Sequence, residues 1–113
     1  MPAALGNYQA VEWIPGSDEP GMKAFEDAFM KTLGRSPTAD MAYYYNNLWM
    51  GIKAFELAGT TDHDKVAQAM RSGNLEWDSA WGPLQIGSDG KGTPTFSVAQ
   101  VQEGGKLVKV WPQ

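Results

Sequence analysis

Residues 38–59 read TADMAYYYNNLWMGIKAFELAG, and the fold of the chain turns on how this stretch is covered. Met41, Tyr44, Tyr45, Leu48, Ile52 and Phe55 recur at three- and four-residue spacing, which defines one face of a helix. Tyr43, Trp49, Met50, Ala54 and Leu57 cover much of the remaining circumference, while Asn46, Lys53 and Glu56 keep a narrow polar seam. A helix that is apolar on nearly every side expects neighbours on several sides. One Gly and two Asn in its middle make it too interrupted and too polar for a membrane span.

Upstream, residues 7–14 (NYQAVEWI) predict a short strand, because Tyr, Val, Trp and Ile suit a pleated surface. Pro15-Gly16 stops it. Residues 17–19 then offer N-cap oxygens and acidic charge, and Pro20 suits the opening of a helix. Met22, Phe25, Phe29, Met30 and Leu33 share one face of that helix, opposite Lys23, Glu26, Asp27 and Lys31, with Gly34 as its C-cap. Downstream, Thr61 and Asp64 approximate a capping box, opening a third helix to about Arg71 with Val66, Ala67 and Met70 inward. From Asn74 the periodicity changes. Trp77 and Trp81 flank a polar link, residues 82–86 predict a short strand, and residues 88–92 predict a turn. Residues 95–102 and 106–111 are β-rich runs around Glu103-Gly104-Gly105, a hairpin signal. The expected layout is one domain over 1–113: a strand at 7–14, a helical part at 19–72 and a small antiparallel meander within 74–113. Such a layout offers too little surface to cover the central helix. The chain therefore either self-associates or forms part of something larger, and the second reading is favoured.

Composition narrows the function. The chain has 113 residues, 42% apolar and 19% charged, an ordinary globular mixture. A net charge of −4 with no Lys/Arg cluster argues against a nucleic-acid or anionic-membrane partner. The absence of Cys excludes thiol catalysis, Cys-zinc sites and disulfides. The start, MPAALGNYQ, has neither a basic region nor a long apolar run, so no secretory signal is read there. His63 lies between Asp62 and Asp64, but no further ligand stands at metal spacing, and two acids suit the first turn of a helix. Residues 87–93 (GSDGKGT) fail the phosphate-loop pattern, which needs Gly at Gln85 and Ser or Thr at Gly92. A Ser/His/Asp site would have to use His63 without a nucleophile elbow. An unaided carboxylate pair has no local signature. No catalytic residue, metal or cofactor is therefore assigned, and an enzyme is the least favoured class.

The order of these pieces resembles a family. Lys23-Ala24-Phe25, Phe29 and Leu33-Gly34-Arg35-Ser36-Pro37 are followed by Tyr45, Ala54, Ala58-Gly59, Asp62 and Lys65-Val66-Ala67. Gly82-Pro83-Leu84, Asp89, Gly92, Glu103-Gly104-Gly105-Lys106 and Trp111-Pro112 complete the series. Together they resemble the last third of a branched-chain amino acid-type substrate-binding protein of ABC transporters, a type I periplasmic binding protein. The resemblance implies an α/β fold of which only the C-terminal part is present, from proteins roughly three times as long that are built as two hinged lobes. It implies a small amino acid-like ligand, a membrane permease as partner and a periplasmic or extracytoplasmic location. It also implies that residues 11–15 lie near a hinge crossing, and that the central helix packs against a sheet supplied from upstream. The start of that helix approaches the ligand cleft in such proteins. There Asp40, Tyr43 and Tyr44 share a helical face, and an Asp with two Tyr suits an ammonium group through ion pairing and cation–π contact. Against this stands a plainer reading, in which Asp40 serves the helix dipole and the tyrosines are core. The alternative function is a self-associating interaction domain, with the central helix at a homodimer interface.

Overall fold

The computed structural model describes residues 2–112. Five strands and three helices follow one another as β1 (Tyr8–Val11), α1 (Pro20–Leu33), α2 (Ala39–Ala58), α3 (His63–Met70), β2 (Leu75–Ser79), β3 (Gly82–Ile86), β4 (Ser97–Val101) and β5 (Leu107–Trp111). The strands do not form one meander. They divide into a β2–β3 hairpin and a separate antiparallel sheet of order β1-β4-β5. Tyr8 pairs with Gln100 and Val11 with Ser97, so the first strand is completed by the last part of the chain. Hairpin β4–β5 carries a register shift at Val98/Ala99. The turn expected at 88–92 therefore joins strands of different sheets. It closes on itself through Gly87 N–H to Lys91 O (2.9 Å) and Gly90 N–H to Gly87 O (2.9 Å).

The helices and β2–β3 form one body and the β1-β4-β5 sheet another, joined by residues 12–19 and 87–96. The radius of gyration is 16.2 Å and the extents are 52 × 30 × 21 Å. A compact chain of this length would have a radius of about 13 Å. The described residues therefore form an elongated shape.

α1 begins with Pro20, whose fixed φ and missing N–H suit the first turn, and ends at Gly34 (φ 67°). α2 ends in the same way at Gly59 (φ 65°), where a side chain would be strained. At α3 the capping reading needs correction. Asp62, not Thr61, is the N-cap, and its Oδ1 accepts from Lys65 N–H at 3.1 Å. The stretch read as a polar link after Asn74 is strand β2. Its Glu, Asp and Ser have low strand propensity, yet Leu75 and Ser79 point inward, and Trp77 pairs with Leu84.

Two apolar clusters hold the helical body. Trp13, Met22, Phe25, Ala42 and Ala80 form the first, flanked by Phe29, Met41, Tyr45 and Trp81. Phe25 meets the ring of Tyr45 at a centroid distance of 4.8 Å and that of Trp13 edge-on at 5.9 Å. Ala54, Leu75, Leu84 and Ile86 form the second, flanked by Met50, Val66, Met70, Trp77 and Trp81. Trp81 packs against both.

α2 turns inward a line of small residues together with one member of its polar seam. Ala42, Asn46 and Ala54 are buried. Tyr44, Leu48, Ile52 and Phe55 are exposed, at 73%, 67%, 36% and 47%. The small inward residues allow close approach of β2, while Asn46 supplies a hydrogen bond that an apolar side chain would lack. On α1, Met22 and Phe25 are buried, but Met30 and Leu33 of the expected inner face are exposed. The second half of α1 and an entire side of α2 thus remain uncovered.

Candidate functional site

Asp40 stands in the first turn of α2, behind the extended N-cap residue Thr38. The Thr38 carbonyl accepts from Met41 N–H (3.1 Å) and Ala42 N–H (3.2 Å), fixing the helix start and with it the direction of Asp40. The Asp40 side chain is exposed. Among the described residues no hydrogen bond or ion pair engages its carboxylate; the ion pairs found are Lys23–Asp27, Lys53–Glu56 and Lys91–Asp89. Asp40 thus carries an available negative charge at a place where the helix dipole favours it.

Tyr43 and Tyr44 follow one turn later. Their rings meet edge-on, with centroids 6.0 Å apart and planes at 90°. Both are solvent-exposed, at 53% and 73%, so the plain reading that they are core does not describe them. Tyr43 leans on a third aromatic ring, that of Trp81, at 5.5 Å and 47°. Sequence reasoning placed Trp81 beside a polar link and gave it no part in this surface. No signal in the sequence places it there: the pairing of Ser79 with Gly82 turns the chain at Trp81, and the indole meets Tyr43 of α2 only in the fold.

Together Asp40, Tyr43, Tyr44 and Trp81 form one open wall. A carboxylate beside faces of electron-rich rings attracts an organic cation and repels an anion. The wall is one-sided and does not enclose a ligand. A cavity of about 690 Å³ lies elsewhere, between Ile14, Glu19, Met22, Ser97 and Lys106, on the boundary of the two bodies. His63 is the exposed first residue of α3, next to its N-cap.

Residues 1–106 match the family model described as periplasmic binding protein. No curated protein matches the chain by sequence. Among solved structures, the leucine binding protein of Thermotoga maritima superposes with a TM-score of 0.79 at 24% identity, over 96% of this chain and 31% of its own. An ABC transporter substrate-binding protein from Desulfitobacterium hafniense, in complex with Leu, gives 0.76 at 17% identity, covering 95% and 32%. A solute binding protein from Rhodopseudomonas palustris, in complex with p-hydroxybenzoic acid, gives 0.72 at 25% identity, covering 95% and 30%. The chain spans under a third of these proteins' length and has the α/β architecture of the corresponding part. With nearly its whole length matched, the chain belongs to the periplasmic binding protein family.

Proposed function

We propose that this chain is the C-terminal portion of an extracytoplasmic substrate-binding protein of an ABC transporter, which holds an amino acid-like ligand without chemical conversion. In the intact protein a second lobe would close over the wall and dock on a membrane permease. The observation that carries this reading is the exposed Asp40, without an ion pair among the described residues, one turn of α2 before the edge-on rings of Tyr43 and Tyr44. Solved relatives hold leucine in one case and a benzoate in another. The charge at Asp40 favours a ligand that turns an ammonium toward α2 over one that turns a carboxylate. Leu48, Ile52 and Phe55, further along the helix, suit burial under an upstream sheet, which would leave the Asp40–Tyr44 end at the cleft.

The test is an NMR titration of the 113-residue chain, because shift perturbation reads millimolar binding. With L-leucine, the Tyr43 and Tyr44 ring resonances and the Asp40 amide move together and saturate. Benzoate leaves them in place, and Asp40→Asn abolishes the leucine response. Movement with benzoate but not leucine would overturn the ammonium reading. The exposed side of α2 also favours a second reading, in which two copies cover each other. Light scattering after size exclusion decides it, since that reading requires a dimer mass and protection of Leu48 and Phe55.

A further inference from the structure

We propose that Trp81 is a further ligand-contact residue of the α2 wall and that the buried Asn46 is the positioning residue that holds it there. The ligand part rests on the function proposed above; the positioning part does not. Asn46 is 2% exposed in the middle of α2, where the other buried residues are Ala42 and Ala54. Its Oδ1 accepts from Ala80 N–H at 2.8 Å, across 34 residues of sequence. A buried amide without such a bond is costly, so the contact ties α2 to the β2–β3 turn in one register.

The turn itself is braced twice more. Ser79 Oγ–H donates to Gly82 O at 2.7 Å, and the same oxygen accepts from Trp81 N–H at 3.0 Å. Beneath it, Gly21 of α1 lies so close to Asp78 and Ser79 that no side chain fits between. The two-residue link Ala80-Trp81 runs into Gly82 at φ 82°, the left-handed residue a hairpin turn uses, and the contacts from Asn46 and Gly21 then fix that turn against α2 and α1. The chain atoms on both sides of Trp81 are fixed, and its indole is delivered against Tyr43 with centroids 5.5 Å apart. Tyr43 stands one turn before Asn46 on the same helix, so the Asn46–Ala80 bond, together with the packing of Trp81 on both clusters, sets the spacing between the two rings.

Amide exchange, ring NOEs and ligand titration of the 113-residue chain test this together. Asn46→Leu keeps the branched outline of the side chain and removes the acceptor. The Ala80 amide then exchanges at least tenfold faster than in the parent. The Trp81–Tyr43 NOE falls by half or more, while the Trp13–Phe25 NOE is unchanged. An unchanged Trp81–Tyr43 NOE would overturn the positioning role. Should Asn46→Leu fail to fold, Ala80 exchange in the parent protein decides instead: protection no greater than that of the Lys91 amide overturns the clamp. For the contact role, Trp81→Ala weakens L-leucine binding at least fivefold, and Asn46→Leu weakens it in the parent but not in the Trp81→Ala background. A purely structural Asn46 would weaken both backgrounds equally. If leucine moves Tyr43 and Tyr44 but leaves the Trp81 indole N–H in place, the contact role fails and the proposed function stands. If leucine moves nothing, the proposed function fails and takes the Trp81 contact with it, and the exchange data still decide Asn46.

Discussion

Gly21→Ala is the sharpest probe of how the helical body is assembled. A β-carbon built at Gly21 would lie 2.7 Å from both C and O of Asp78, and closer still to Ser79 O. All three are backbone atoms of β2 and its exit, so no rotamer change relieves the clash. Ordinary contact needs about 3.4 Å or more. Ser79 O is the nearest atom, so either α1 or the hairpin must move by roughly 1 Å or more, with Met22 and Phe25 carried along. Overpacking of this kind costs about 1–3 kcal/mol. Replacing helical Gly by Ala returns at most about 1 kcal/mol. A clash with three backbone atoms belongs at the upper end of that range, so the expected net loss is about 2 kcal/mol, which lowers Tm by about 4–8 °C per kcal/mol in a chain near this size. Gly51→Ala is the built-in control, because nothing lies within 4 Å of a β-carbon there. The same chemical change in the middle of α2 should stabilise by about 0.5–1 kcal/mol. Urea unfolding followed by far-UV circular dichroism reads both variants. A Gly21→Ala protein as stable as the parent would refute the close packing of α1 on the Asp78–Ser79 backbone.

Other substitutions follow from the same contacts. Phe25→Ala should cost about 3–5 kcal/mol, since the ring is 2% exposed and meets Trp13, Phe29 and Tyr45; loss of a cooperative thermal transition is the expected readout. Asp62→Ala should cost about 1 kcal/mol through loss of the α3 cap, whereas Thr61→Ala should stay within about 0.5 kcal/mol; equal losses in urea titrations would restore the Thr61 assignment. The Lys23 amine is raised above its ordinary 10.5, first by its hydrogen bond to Asp27 and then by that carboxylate's charge. A raised amine stabilises the fold below the unfolded pKa and loses that contribution as pH climbs through the folded one. The effect is confined to strongly alkaline solution, and Asp27→Asn should return the NMR-titrated Lys23 value toward 10.5. Leu48→Lys with Phe55→Lys should leave urea stability within about 1 kcal/mol while reducing self-association on size exclusion, because both side chains are exposed.

Much of the architecture was legible because each helix carries its own punctuation. Pro20 and Gly34 bracket α1, and Gly59 closes α2, all through local backbone preferences that need no tertiary context. The mismatch between the apolar α2 and its few neighbours was also readable, and the structure leaves Tyr44, Leu48 and Phe55 exposed. What periodicity could not give was which way α2 faces. Apolar counting turned its richest side inward, yet small residues and one hydrogen-bonding amide occupy the buried side. A face is chosen by how closely a neighbour approaches and what it offers to bond, and neither is a property of the helix alone. Strand β2 was hidden for a related reason: its Glu76 and Asp78 face outward, and its register comes from β3. Asp40, Tyr43 and Tyr44 were read as a helical triplet, and the structure exposes all three side chains and sets the two tyrosine rings edge-on. Trp81 was missed because it reaches Tyr43 from 38 positions away, through a turn that Asn46 holds.

The pairing of β1 with β4 has a consequence for the order in which the protein can be made. Tyr8 waits for Gln100, 92 positions later. At about 5–20 residues per second a ribosome takes roughly 5–18 s to cover that span. During this interval the helices and the β2–β3 hairpin, whose partners lie nearer in sequence, have time to assemble, while β1 has nothing to pair with. Its composition suits the wait. YQAV is four residues long, with a polar Gln9 and a small Ala10, too short and too mixed to recruit another unfinished chain. Of the five strands described, the earliest in the sequence is thus among the last to be locked, and its brevity keeps it harmless until then.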